Sequence, residues 1–202
     1  ITVLLYIGMS YVIAIFFTEM TESFFFSNLV CELAVIAPVL LFAIASKEKL
    51  PEFLGFHKVK ISTLLMTALF TMLTMPLVTL INLISQLWVE NEVAAMMDAY
   101  RIGEMSFFQL LIPLAVIAPL FEEVTCRGAF YRSYQRSGSR FGAMMLSAAI
   151  FALMHMNLNQ CSYAIVIGFL FALVNEIAGS ILPSMVMELA TAVASLAAGS
   201  GV

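Results

Sequence analysis

The stretch Phe107–Tyr131, FFQLLIPLAVIAPLFEEVTCRGAFY, decides the fold. It is long and apolar enough to cross a bilayer, which takes about 20 residues. Charge enters late, with Glu122, Glu123 and Arg127. A charge at the bilayer centre costs about 2.5–3.5 kcal/mol on insertion scales, so all three are functional candidates. A helix turns about 100° per residue. Glu123 and Arg127, at i and i+4 with the acid first, therefore share a face and can pair. Glu122 lies about 140° round from Arg127 by the same geometry and escapes that neutralisation. One glutamate reads as structural and the other as available. The plainer alternative is a Glu–Arg clamp with Glu122 snorkelling to the interface.

The rest of the chain agrees with a membrane setting. Of its 202 residues 62% are hydrophobic and 11% charged, with mean hydropathy +1.03. Soluble domains stand nearer about 45–50% apolar and about 25% charged. The fold class is all-α: a polytopic membrane helical bundle of about seven transmembrane helices, read at 1–17, 28–46, 61–88, 107–131, 139–157, 161–177 and 180–198. Loops 18–27 and 89–106 are acidic, whereas loop 47–60 carries four lysines and 131–140 three arginines. This alternation places the first residues and the two basic loops in the cytoplasm. A chain opening on Ile1 is expected to be a trimmed fragment, so it informs on no signal peptide. Net charge −4 gives no reason to expect nucleic acid as a partner. Cys31, Cys126 and Cys161 read as small hydrophobes. Segment 89–106 suits a short amphipathic helix on the outer surface, His57 a solvated loop, and the prolines within spans suit kinks.

Further polar residues interrupt the later spans. Phe151 and His155 stand at i and i+4, followed by Asn157, Asn159 and Gln160; Glu188 lies in the last span, with Thr191 and Ala192 after it. At 1.5 Å per residue, Glu122 is roughly 15 Å from Arg132, His155 roughly 22 Å from Arg140 and Glu188 roughly 10 Å from Ile181. These residues can share one polar layer in the cytoplasmic to middle part of the bilayer. A carboxylate there can take a proton from water and return it. Glu122, His155 and Glu188 are also candidate ligands for a divalent metal such as zinc; no other cofactor is implied. The plainer reading of His155 is a helix cap or an interhelical hydrogen bond.

At these residues the chain resembles the CPBP intramembrane protease family, which takes in the type II CAAX prenyl endopeptidases and bacterial Abi proteins. Its first motif, EExxxR, is matched by Glu122, Glu123 and Arg127, and its second, FxxxH, by Phe151 and His155. The resemblance covers roughly residues 107–195. The third motif, HxxxN, is not matched: aligned on GSILPS, its positions hold Glu188 and Ala192. The resemblance implies that Glu122 activates water with His155 as partner. Glu123 and Arg127 support them, and Phe151, Asn159 and Glu188 are supporting positions. It implies one transmembrane domain, 1–202, with a catalytic core at 107–198. The implied activity is endopeptidase cleavage of a peptide or membrane-associated protein within the lipid bilayer of a bacterial plasma membrane. The alternative is a catalytically impaired member acting as scaffold or bacteriocin-immunity protein. A small transporter using the polar layer as a relay is a third reading, which no inverted repeat supports.

Overall fold

The computed structural model describes residues 24–47, 49–99, 104–136 and 138–198, and the regular structure among them is helical. In chain order come α1 (Phe24–Ser46), α2 (Leu50–Leu54), α3 (Ile61–Ser85) and α4 (Glu92–Ala99). They are followed by α5 (Phe107–Gln135), α6 (Arg140–Met154), α7 (Leu158–Ala178) and α8 (Leu182–Ala198). α1, α3, α5 and α7 are long and apolar enough to cross a membrane; α6 and α8 are shorter apolar helices. Six of the expected spans thus exist as helices, and the first, 1–17, lies outside the described residues. This is a multi-pass membrane protein built as a helical bundle.

The helix α3 illustrates how lipid reverses the soluble pattern. Its buried positions Thr67, Thr71, Val78 and Asn82 are mostly polar, whereas Ile61, Met66 and Leu73 are 71–75% exposed. In a water-soluble helix the apolar stripe would face inward. The buried hydroxyls are satisfied within the helix, Thr67 donating to the Thr63 carbonyl at 2.8 Å and Thr71 to that of Thr67 at 2.9 Å. No water is needed at that depth.

The axis of the bundle is α5. Helices α1, α6 and α8 pack on it, α7 packs on α6 and α8, and α3 lies behind α7 and α8. Two stretches of α5, Pro113–Ile117 and Val124–Tyr131, are π-helical. Pro119 has no N–H to give the Ala115 carbonyl, and just before it the ladder slips, Ala118 N–H bonding Pro113 O. In the second stretch the Ser147 hydroxyl of α6 donates to the Cys126 carbonyl at 3.0 Å. A side chain entering the ladder in this way is a recognised cause of such distortion.

Both basic loops lie at one end of the bundle, as their alternation with acidic loops requires. Ile181 N–H donates to the Gly55 carbonyl at 3.1 Å. The Ser180 hydroxyl donates to the His57 carbonyl at 2.7 Å, and Arg140 pairs with Glu176 at 3.1 Å. The His57 side chain itself is exposed, as expected of a solvated loop residue. From that end α6 runs 15 residues, about 22 Å, short of the roughly 30 Å hydrocarbon core. It stops at His155. Met156 then turns with φ 48°, and the Asn157 carboxamide oxygen caps α7 by accepting from Asn159 and Gln160 N–H at 2.9 and 3.2 Å. Irregular backbone at membrane depth is tolerated where it lines a cavity, and His155 does.

Gly55 closes α2 with φ 79°, a left-handed conformation that costs other residues about 1–2 kcal/mol. Gly55→Ala should lower stability by at least that amount, because a Cβ there would also displace the Arg132 guanidinium packed against it, and Gly55→Asn should likewise destabilise. Thermal unfolding of the detergent-solubilised protein would measure both.

Candidate active site

The two charges that share a face of α5 do pair. Glu123 and Arg127 approach to 2.5 Å with both side chains fully buried. Arg127 is held from two further helices. Its Nη2 donates to the Gly168 carbonyl of α7 at 2.8 Å, and its guanidinium lies 4.5 Å from the Phe151 ring centroid and 5.0 Å from that of Phe171. Such cation–π contacts strengthen when desolvated. Gly168 permits this approach: a Cβ there would meet Ala148 Cα and Phe151 Cδ1 at 3.1 Å. Phe151 in turn meets His155 edge-on at 5.0 Å. The first and second sequence motifs are thus one packed unit.

Beside this unit lies a cavity of about 280 Å³, lined among others by Glu122, His155, Glu188, Gln160, Tyr163 and Glu32. Its lining comes mainly from the helix halves remote from the basic loops, and Val93 and Met97 of α4 border its far end. The polar layer thus faces away from the basic end. Glu188 lies within hydrogen-bond reach of both Glu122 and Glu123; two carboxyl groups bond only with a proton between them. The His155 Nδ1 stands 2.8 Å from the Phe151 carbonyl. A carbonyl only accepts, so Nδ1 carries the hydrogen and Nε2 of the neutral ring is an acceptor.

Of the residues singled out in the sequence, Glu122, His155 and Glu188 meet at the cavity, and Phe151 borders it. Glu123 and Arg127 stand behind as the buried pair. Ala192, at the missing asparagine of the third motif, is also on the wall. Asn159 is elsewhere: its Nδ2 donates to Asn82 Oδ1 at 2.9 Å and Ser85 Oγ at 2.6 Å, tying α7 to α3. Among the described residues no three His, Cys, Asp or Glu side chains converge as a metal ion requires. The set Glu122, His155 and Glu188 therefore does not fit a resident zinc ion, and no chemistry is derived through one. Two residues escaped the sequence reading. Tyr163 carries no charge to betray it, and its buried hydroxyl lies within hydrogen-bond reach of Gln160. Glu32 had a signal, an acid inside the apolar run CELAVIAP, which marks an intramembrane site by default.

These features define a membrane-embedded helical protein with a carboxylate–histidine cavity inside the bundle. Residues 104–193 match the family model of the type II CAAX prenyl endopeptidases, Rce1-like. That segment, a little under half of the chain, is Rce1-like, in agreement with the motifs at Glu122, Glu123, Arg127, Phe151 and His155. No curated protein and no solved structure matches the chain.

Removing one partner of a buried ion pair costs about 3–5 kcal/mol, whereas replacing both by apolar groups is often neutral. Glu123→Leu or Arg127→Met alone should therefore destabilise by about 3–5 kcal/mol, and the double variant by far less. A denaturation cycle on the purified protein would measure the difference.

Proposed function

We propose that this chain is an intramembrane endopeptidase, cutting a peptide or the tail of a membrane-associated protein with a glutamate-activated water. The observation that carries this reading is that Glu122, spared by the Glu123–Arg127 pair, shares one intramembrane cavity with His155. A water between them donates one hydrogen to Glu122 and the other to the acceptor Nε2 of His155, which turns its lone pair toward a substrate carbonyl. Glu122 removes the proton as the oxygen attacks, a contribution of about 10²–10⁴ in rate. Glu123 and Arg127 fix the helix that presents Glu122. Phe151, against both Arg127 and His155, sets the distance between base and partner.

In the family that the chain resembles, the third-motif pair is proposed to stabilise the oxyanion, so Glu188 and Ala192 at those positions call for a substitute. The Ala192 side chain has no hydrogen-bond donor, and Glu188 donates only while it holds a proton. The hydroxyl of Tyr163, on the same cavity wall, is the donor assigned to the oxyanion. The proposed setting is a bacterial plasma membrane, with residues 1–202 as one transmembrane domain and 107–198 its catalytic core. Ala192 favours a second reading: a catalytically silent relative serving as scaffold or bacteriocin-immunity protein.

Purified protein in proteoliposomes, given lipid-anchored and single-span peptides, distinguishes the two. Cleavage is expected. Glu122→Gln should reduce it by about 10²–10⁴, and Tyr163→Phe by about 10²–10³, the usual loss of one oxyanion donor. Silence of the unaltered protein, with cleavage gained on Glu188→His plus Ala192→Asn, would establish the silent reading instead.

A further inference from the structure

The cavity holds a carboxyl that neither the matched segment nor the sequence motifs include. Glu32 lies on α1, far outside residues 104–193. It is 6% exposed, lines the cavity, and its Oε2 has no hydrogen-bond partner. Glu122 is its charged neighbour across the cavity. No basic side chain among the described residues forms an ion pair with it, and a leucine would fill an apolar span without desolvation cost. An intramembrane acid of this kind, inside the bundle and aimed into a cavity, is a functional residue by default.

The peptidase reading leaves one role open to either of two carboxyls: Glu122, returning the proton it took from water, or a second acid. A peptide bond breaks only if the departing nitrogen is protonated. The Nδ1–H of His155 is committed to the Phe151 carbonyl and does not supply that proton. We propose that Glu32 is the general acid of this site, working with Glu122 as a pair of carboxyls that trade one proton. Resting on the peptidase reading, the cycle is balanced as follows. Glu122 takes a proton from water while the water oxygen bonds to the carbonyl carbon. The tetrahedral adduct then collapses, the C–N bond breaks, and Glu32 gives its proton to the nitrogen. Products are a carboxyl end and an amine end. The proton now on Glu122 returns to Glu32 across the cavity, and both carboxyls are reset.

The test compares two probes in proteoliposomes: a lipid-anchored peptide amide and the same peptide as its p-nitrophenyl ester, whose leaving group departs without a proton. Glu32→Gln should slow amide cleavage by about 10²–10⁴, leave ester cleavage within a few-fold of the unaltered protein, and leave thermal stability unchanged. Glu32→Asp, which keeps an acid, should recover part of the amide rate. Equal losses on both probes, or loss of stability in step with activity, would make Glu32 a packing residue and overturn the proposal. Full amide activity in Glu32→Gln while Glu122→Gln is inactive would overturn it and leave the peptidase reading intact. Silence of the unaltered protein toward both probes would overturn the two together.

Discussion

A buried ion pair is the constraint on which this bundle depends. Taking a carboxylate and a guanidinium out of water costs several kcal/mol per ion, and their attraction offsets this only if further partners satisfy them. Arg127 finds those partners on two other helices, the Gly168 carbonyl and the Phe171 ring on α7 and the Phe151 ring on α6, and Glu123 has Ser184 and Glu188 of α8 within reach. Satisfying the charge therefore fixes how α5, α6 and α7 cross. It also fixes the site, since Phe151 is one turn from His155, and Glu122 is the immediate neighbour of Glu123. The structural glutamate does its work by leaving the adjacent one unneutralised.

Much of this was legible because the two periods involved are short-range. Spans of apolar residues announce helices in lipid, and the i, i+4 spacings of Glu123 with Arg127 and Phe151 with His155 survive as a 2.5 Å ion pair and a 5.0 Å ring contact. The rest depends on partners that only the fold supplies. The π-helical stretches of α5 arise where Pro119 withholds an N–H and where Ser147 of another helix reaches the Cys126 carbonyl. Asn159 looks like a site residue beside His155, yet Asn82 and Ser85 on α3 claim its side chain. Glu32 was masked for the opposite reason: one acid barely lowers the hydropathy of a whole span. Its meaning comes from Glu122, some 90 positions away and across a cavity.

Charge balance then connects the departed third motif to the rest of the site. Three carboxyls, those of Glu32, Glu122 and Glu188, line the cavity, and a fourth, that of Glu123, pairs with the Arg127 guanidinium. Two carboxyl groups hydrogen-bond only through a proton that one of them carries. Glu188, in reach of both Glu122 and Glu123, bonds to either only through such a proton. A histidine at position 188 would have offered an N–H whatever the state of its neighbours. A glutamate makes that donor conditional on the local proton count. At this position the chain thus has a conditional hydrogen-bond donor where the motif has a fixed one. On the proposed peptidase reading, Glu188 and Ala192 leave the donors of this site to the carboxyls of the cavity and to Tyr163, beside the single imidazole of His155.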